Sequence, residues 1–193
     1  MNDATCFSDF ISSIVELPDR QKEGFQALIS TKQITQGENF IRTGQYPKTI
    51  GFVKKGLFRY FYTSKEGKIY TKGFFDQHSV LSAYDAILEE TTAYYTIEAL
   101  EDAVVEIVDY DKFQQLFDED PCWNTFLVAL LQKGYLAKVT REREFLLLDA
   151  EQRYQKFLAR YPNLESRVKQ QIIASYLGIA PESLSRIRKN MDS

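Results

Sequence analysis

The 193 residues carry 24 Lys and Arg against 27 Asp and Glu, a formal net charge of -3, with two cysteines and one histidine. A chain this long buries a core without metal or disulfide staples. Two thiols build neither a disulfide framework nor a four-thiolate cluster in one chain, and a site that needs two imidazoles is excluded. No run reaches the roughly 20 apolar residues of a membrane span. Asp3, Asp9, Glu16 and Asp19 are unlike a signal peptide's basic start, so a cytoplasmic protein without membrane contact is expected.

Phe7, Phe10, Ile11, Ile14 and Val15 recur at helical spacing and predict a packing helix from Phe7 to Leu17. From Thr31 to Ile107 short runs of Ile, Val, Phe, Tyr and Thr are punctuated by Gln36-Gly37, Thr43-Gly44, Lys55-Gly56 and Glu66-Gly67. Many short strands between turn signals predict a β-sandwich or roll. Gly56 to Thr63 and Lys68 to Phe75, joined by Ser64-Lys-Glu-Gly67, read as a hairpin whose aromatics have strand spacing and few basic neighbours. They are expected in the core rather than as a base-stacking platform.

After Asp109 the helical pattern returns with Phe113, Leu116 and Phe117, and Pro121 suits the first turn of a long helix reaching Leu148. One lane of that helix holds Val128, Leu131, Tyr135, Val139 and Leu146; another holds Leu127, Leu130, Gly134 and Ala137. So wide an apolar girdle packs on two sides, against the roll and against the same helix of a second subunit, with a purely intramolecular packing as the alternative. Asp149 then reads as the N-cap of a helix from Ala150 to Tyr161, stopped by Pro162-Asn163.

The last quarter carries the clearest functional pattern. Ile173, Ala174 and Leu177 share one face of a helix, Gly178 suits the left-handed turn that ends it, Pro181 starts a second helix, and Ile179 with Leu184 and Ile187 closes the core from that side. Glu182, Ser183, Ser185, Arg186, Arg188 and Lys189 are left outside. Arginine donates a bidentate pair to guanine and glutamate accepts from cytosine N4, and Glu182 and Arg186 are one turn apart. The alternative is a helix-dipole and ion-pair role without DNA. Charge favours DNA: residues 150–193 hold eight Lys and Arg against four Asp and Glu, whereas residues 1–149 hold 16 against 23. Binding is therefore expected to be confined to the C-terminal segment and to weaken with salt.

The order of roll, long helix and basic helix-turn-helix resembles the Crp/Fnr family of bacterial transcription regulators. Three further stretches carry the resemblance: Gln36-Gly-Glu-Asn-Phe-Ile-Arg-Thr-Gly44, Ile50-Gly-Phe-Val-Lys-Lys-Gly-Leu-Phe-Arg59 and Ile97-Glu-Ala-Leu-Glu-Asp102. It implies an α+β chain with a cyclic-nucleotide-binding-like β-roll of double-stranded jelly-roll type over residues 1–120. A dimerisation helix follows over 121–148, then a winged-helix-like helix-turn-helix with a shortened wing over 149–193. It also implies a homodimer on an inverted repeat of double-stranded DNA, one recognition helix per major groove, and admits RNA polymerase as a further partner. Glu182-Ser-Leu-Ser-Arg186 has the Glu-x-x-Ser-Arg form of the Fnr branch, in which the glutamate and arginine read a G·C pair and the serine a neighbouring base. By that resemblance Glu182, Ser185 and Arg186 are the base-reading residues, and the half-site resembles TTGA. Lys169, Gln170 and Ser183 stand where the family touches phosphates, and Arg188 and Lys189 join them. Pro181 departs from the cyclic-AMP branch, which has a further arginine there.

The ligand site departs further. The family's cyclic-AMP cassette needs a Gly-Glu and a later Arg, but no glycine lies between Gly73 and Gly134 and no arginine between Arg59 and Arg141. From Gly73 to Asp111 there is no lysine and there are ten acidic residues. Burying a phosphate without a cation costs several kcal/mol, so cyclic AMP is not expected to bind and no cofactor is expected. Phe75, Ser82, Tyr94 and Tyr95 form the candidate effector pocket, able to enclose a neutral or apolar molecule or to fill the space themselves. Cys6 does not support an iron-sulfur sensor. No enzyme is expected: His78 reads as a loop residue, and there is no Gly-x-Ser-x-Gly elbow. The expected mechanism is a two-state dimer in which a signal at the roll or long helix re-places the recognition helices. The alternative function is a small-molecule or protein-binding module that no longer binds DNA.

Overall fold

The computed structural model describes residues 6–191, so Asp3 and the last two positions lie outside the description. Phe7, Ile11 and Phe25 are fully buried and draw in two helices, α1 (Phe7–Ser12) and α2 (Asp19–Leu28). The first is shorter than its periodicity predicts. Ser12 and Ser13 turn their hydroxyls onto the carbonyls of Ser8 and Phe10, a local bonding that competes with helix continuation, and Pro18 follows. α2 was not expected, because Phe25 is its only buried apolar residue. Its other inward position is Gln21, whose Oε1 accepts from the indole Nε1 of Trp123 at 2.8 Å.

Eight strands follow as expected for a roll: β1 (Ser30–Ile34), β2 (Asn39–Ile41), β3 (Thr49–Lys55), β4 (Phe58–Thr63), β5 (Ile69–Phe75), β6 (Val80–Leu81), β7 (Thr96–Ala99) and β8 (Ala103–Asp109). α3 (Tyr84–Leu88) interrupts them after β6. They form two four-stranded sheets, ordered β1-β8-β3-β6 and β2-β7-β4-β5. β3 pairs antiparallel with β8 from Thr49↔Asp109 to Val53↔Val105, with a bulge before Lys55. Ile50, Gly51, Phe52 and Val53 are all buried, so this strand is covered on both faces. Gly51 is required there: a Cβ would lie 2.8 to 2.9 Å from Leu81, Phe40 and Val105.

The outer side of that strand packs against helices. α4 (Tyr110–Gln115), capped by Asp109 Oδ1 accepting from the Lys112 amide, leads through a 3-10 turn at Leu116–Asp118 to α5 (Cys122–Leu147). Trp123 and Phe126 at the start of α5 join Phe7, Phe25, Phe52 and Phe113 in one aromatic core. Glu106 is buried on β8, where it accepts from the Phe7 amide at 2.6 Å and pairs with Lys54 Nζ at 2.9 Å, tying the start of α1 to the sheet.

The chain divides into two compact units. One comprises the chain up to Tyr60 with Phe74–Gln132; the other comprises Phe61–Gly73 with the chain from Lys133 onward. The tip of the β4–β5 hairpin thus belongs with the C-terminal helices, and α5 is shared between the units. Charge is divided more sharply along these lines than along the linear chain: the second unit has 15 Lys and Arg against 8 Asp and Glu, the first 9 against 19.

Candidate nucleic-acid interface

After α5, four helices follow in the second unit among the described residues. Asp149 and Gln152 form a reciprocal capping box that starts α6 (Ala150–Arg160), at 2.9 and 3.1 Å. A short α7 (Leu164–Arg167), not foreseen from sequence, follows Pro162-Asn163. α8 (Gln170–Leu177) and α9 (Pro181–Met191) form the helix-turn-helix. Gly178 adopts φ +71°, the Ile179 amide closes onto the Ala174 carbonyl at 3.1 Å, and Pro181 is the first helical residue of α9.

The core of this unit is as expected at Ile173, Ala174, Leu177 and Leu184, all buried. Ile179 and Ile187, expected to close it, are only partly buried. Tyr176, Phe157 and Tyr154 take that role, with Phe157 and Tyr161 rings 5.5 and 6.0 Å from Tyr176. Tyr176 was not among the residues expected in this core; Arg160 Nη1 donates to its hydroxyl at 3.0 Å and satisfies it.

On the outer face of α9, Glu182, Ser185 and Arg186 are exposed, with Glu182 and Arg186 one turn apart. Among the described residues neither Glu182 nor Arg186 makes an ion pair or a side-chain hydrogen bond, so their heads are unengaged. The expected alternative, a Glu182–Arg186 ion pair, does not form. Lys169 is the N-cap of α8 and Gln170 its first residue, so both stand at a helix start, Lys169 exposed and Gln170 partly buried. Ser183 is partly buried in the first turn of α9. Arg188 has a second duty: its Nε lies 3.0 Å from Glu165 Oε1, which also accepts from Tyr154 Oη. The side chain stays 44% exposed, with Nη donors beyond that pair.

Two arginines seat the helix-turn-helix on α5. Arg141 lies with its guanidinium 3.8 Å from the Tyr176 ring centroid and 4.7 Å from that of Phe145, and Arg153 lies 5.0 Å from the other partner, Phe145. Arg141 Nη2 donates to the Tyr176 carbonyl at 2.7 Å, and Arg153 donates to the carbonyls of Leu177 and Leu148 at 3.2 and 2.8 Å. The open carbonyl end of α8 is therefore closed by two cations, as the helix dipole favours.

Along α5, the lane of Val128, Leu131, Tyr135 and Val139 is exposed, continuing through Leu146, and Tyr135 is 66% exposed. Leu130 of the second lane packs on the aromatic core, whereas Gly134 and Ala137 are exposed. Among the described residues no helix is long and apolar enough to cross a membrane, and no group of three or more His, Cys, Asp and Glu is placed to hold a metal ion.

Of the four residues of the candidate effector pocket, Phe75, Ser82 and Tyr95 belong to one cluster and Tyr94 does not. Phe75 packs 5.0 Å from Tyr60, whose ring is 5.6 Å from that of the buried Tyr95. Tyr95 Oη lies 3.1 Å from both the Ser82 carbonyl and Asp85 Oδ1. Ser82 thus contributes its carbonyl, while its hydroxyl faces Thr49 at 3.4 Å. Tyr94 is 54% exposed and stands apart from this cluster. A shallow cleft of about 420 Å³ lies elsewhere, along Phe40, Ile41 and Gln45 to Thr49. His78 takes φ +66°, with its ring stacked 6.1 Å from Phe52 and its amide donating to the Val53 carbonyl, a turn position.

The described residues thus comprise a two-sheet roll, a long helix and a terminal helix-turn-helix that exposes Glu182 and Arg186. Residues 31–120 match the family model of the cyclic nucleotide-binding domain. No curated protein sequence matches the chain. Among solved structures it is similar to FixK2 of Bradyrhizobium japonicum, with a TM-score of 0.76 and 15% identity over 85% of this chain and 84% of that one. It is also similar to a transcriptional regulator of the Crp/Fnr family from Eubacterium rectale (0.74, 17%, 92% and 84%). The c-di-GMP responsive global regulator CLP of Xanthomonas campestris is a third (0.71, 19%, 88% and 89%). The chain has the Crp/Fnr fold, with a roll of the cyclic nucleotide-binding type.

Proposed function

We propose that this protein is a sequence-specific transcription regulator that binds an inverted repeat of double-stranded DNA as a homodimer. The observation that carries the reading is the face of α9: Glu182 and Arg186 are exposed, one turn apart and unengaged, on a helix whose opposite side is anchored by Leu184. A structural ion pair would use those two heads on each other; here both are presented outward, as base readout in a major groove requires. Ser185 lies beside Arg186 for a neighbouring base. Lys169, Gln170, Ser183, Arg188 and Lys189 serve the phosphates, in a unit with an excess of seven cations over its acids. The half-site resembles TTGA. Neighbours of the same fold are named as transcription regulators, which supports the reading.

The second subunit covers the Val128, Leu131, Tyr135 and Val139 lane of α5, since a row of large apolar side chains in water is a binding surface. RNA polymerase is a further partner of the assembled dimer, and the protein acts in the cytoplasm. It is not an enzyme. Cyclic AMP is not the effector. The residues of the roll offer its phosphate no cation from Gly73 to Asp111, and Tyr60, Phe75 and Tyr95 pack on one another. A regulator whose pocket is filled by its own rings needs no ligand to bind DNA.

The test is an anisotropy titration of an inverted TTGA repeat with wild type and Arg186→Ala, with and without saturating cyclic AMP. Wild type binds without the nucleotide, is unaffected by it and weakens steeply with salt; Arg186→Ala loses preference for the G·C position by about 1–3 kcal/mol. Equal binding of both proteins to matched and mismatched duplexes would refute the reading.

A further inference from the structure

We infer that Ser175 is a positioning residue for the recognition helix: its hydroxyl fastens α8 to the edge of β5, and the fastening sets which half-site spacing the dimer accepts. The inference rests on the DNA-binding reading above.

β5 is the outer strand of its sheet, and an edge strand presents unpaired N–H and C=O groups. Ser175 Oγ occupies such a gap. The Thr71 amide donates to it at 2.9 Å, and it donates in turn to the Ile69 carbonyl at 3.0 Å. Those are the two bonds that one residue of a parallel neighbouring strand would make, so a single side chain on a helix stands in for a strand residue. Thr71 is 3% exposed, so its amide has no ready access to solvent if the serine is removed. Serine also has poorer helix propensity than alanine, so at this partly buried position in the last turn of α8 it is the hydroxyl's two bonds that offset that cost.

α8 is thereby held at two points. Arg141 of α5 and Arg153 of α6 close its carbonyl end, and Ser175 ties its flank to the hairpin tip. α9 follows α8 through the Gly178 turn and the shared Leu184 core, so the two anchors fix the angle of α9 to α5. In a dimer built along α5, that angle determines how far apart the two recognition helices lie. With one anchor gone, the helix-turn-helix retains its fold but pivots.

The experiment uses the full chain as wild type, Ser175→Ala and Ser175→Thr, titrated against duplexes whose half-sites are separated by the preferred spacer or by one base pair more or less. Wild type prefers one spacing by about tenfold, Ser175→Ala by no more than about twofold, and Ser175→Thr behaves as wild type. An unchanged ratio in Ser175→Ala overturns the inference, and so does an equal loss of affinity at every spacing, which marks a stability effect alone. Hydrogen exchange of the Thr71 amide, measured without DNA, accelerates about tenfold in Ser175→Ala and is restored in Ser175→Thr; no acceleration overturns the fastening itself. Absence of selective binding by wild type defeats the DNA reading and the positioning role with it, while the Thr71 exchange still reports on the fastening separately.

Discussion

The guanidinium of Arg141 lies 3.8 Å from the centroid of the Tyr176 ring and donates to the Tyr176 carbonyl at 2.7 Å. One side chain on the long helix thus closes the end of the first helix of the helix-turn-helix and stacks on its main aromatic residue. Arg141→Ala is expected to destabilise the protein by about 2 kcal/mol, the worth of a charge-assisted bond plus a cation–π contact. Arg141→Lys recovers less than half, because a point charge cannot stack and fork at once. Urea unfolding of the C-terminal unit followed by tyrosine exchange or NMR checks this; full recovery with lysine would contradict it.

Gly178 ends α8 at φ +71°, and a Cβ there would meet Phe145 Cε1 at 2.8 Å. Both the backbone and the ring oppose a side chain. Gly178→Ala is expected to cost at least about 1–2 kcal/mol, the steric cost of a left-handed L-residue. A thermal melt unchanged by the substitution would show that the turn is not fixed as described.

Leu131 and Tyr135 lie on the exposed lane of α5. If the proposed dimer forms along this lane, replacing either with glutamate puts a charge into its seam and removes about 1.5–3 kcal/mol of apolar burial per subunit. Leu131→Glu and Tyr135→Glu should sediment as folded monomers at concentrations where wild type is dimeric. A wild-type monomer at all concentrations would leave the lane without its partner.

Burial, and then the neighbouring Asp120 carboxylate, push the Cys122 thiol from its ordinary value of 9.0 up to about 11. A raised value favours the protonated thiol in the folded state. Its contribution to stability is complete below pH 9, the unfolded value, and is lost as pH rises through about 11. Alkylation of Cys122 by iodoacetamide should therefore have its midpoint near pH 11, and a midpoint near 9 would contradict the burial.

Periodicity made the long helix, the Asp149 cap and the helix-turn-helix legible, because those segments carry local signals: Pro121 and Pro181 at helix starts, Gly178 at an end, and apolar residues at regular intervals. The roll was legible as a texture of short runs, but its order of strands depends on long-range pairing. The Val53↔Val105 register, for example, has no local signal. α2 was missed because its inward face is completed by Gln21, whose role depends on Trp123, about a hundred residues away in sequence. On α9, Glu182, Ser185 and Arg186 are exposed, whereas Ser183, read with them as lying outside the core, is partly buried. Ser175 was invisible as more than a small helical residue, since what gives its hydroxyl a purpose is a strand edge at Ile69 and Thr71. Tyr94 was grouped with Tyr95 by adjacency, yet in the bend before β7 Tyr95 is buried and Tyr94 is exposed, a difference with no local signal.

The central claim is that α9 reads DNA through Glu182 and Arg186. It is tested most directly by selecting duplexes from a randomised pool with purified wild type and Arg186→Ala at one fixed salt concentration, with no ligand added. Wild type is expected to enrich an inverted repeat with a G·C pair in each half-site, and Arg186→Ala to lose that enrichment. Failure of wild type to enrich any sequence, or the same motif emerging from both proteins, would contradict it.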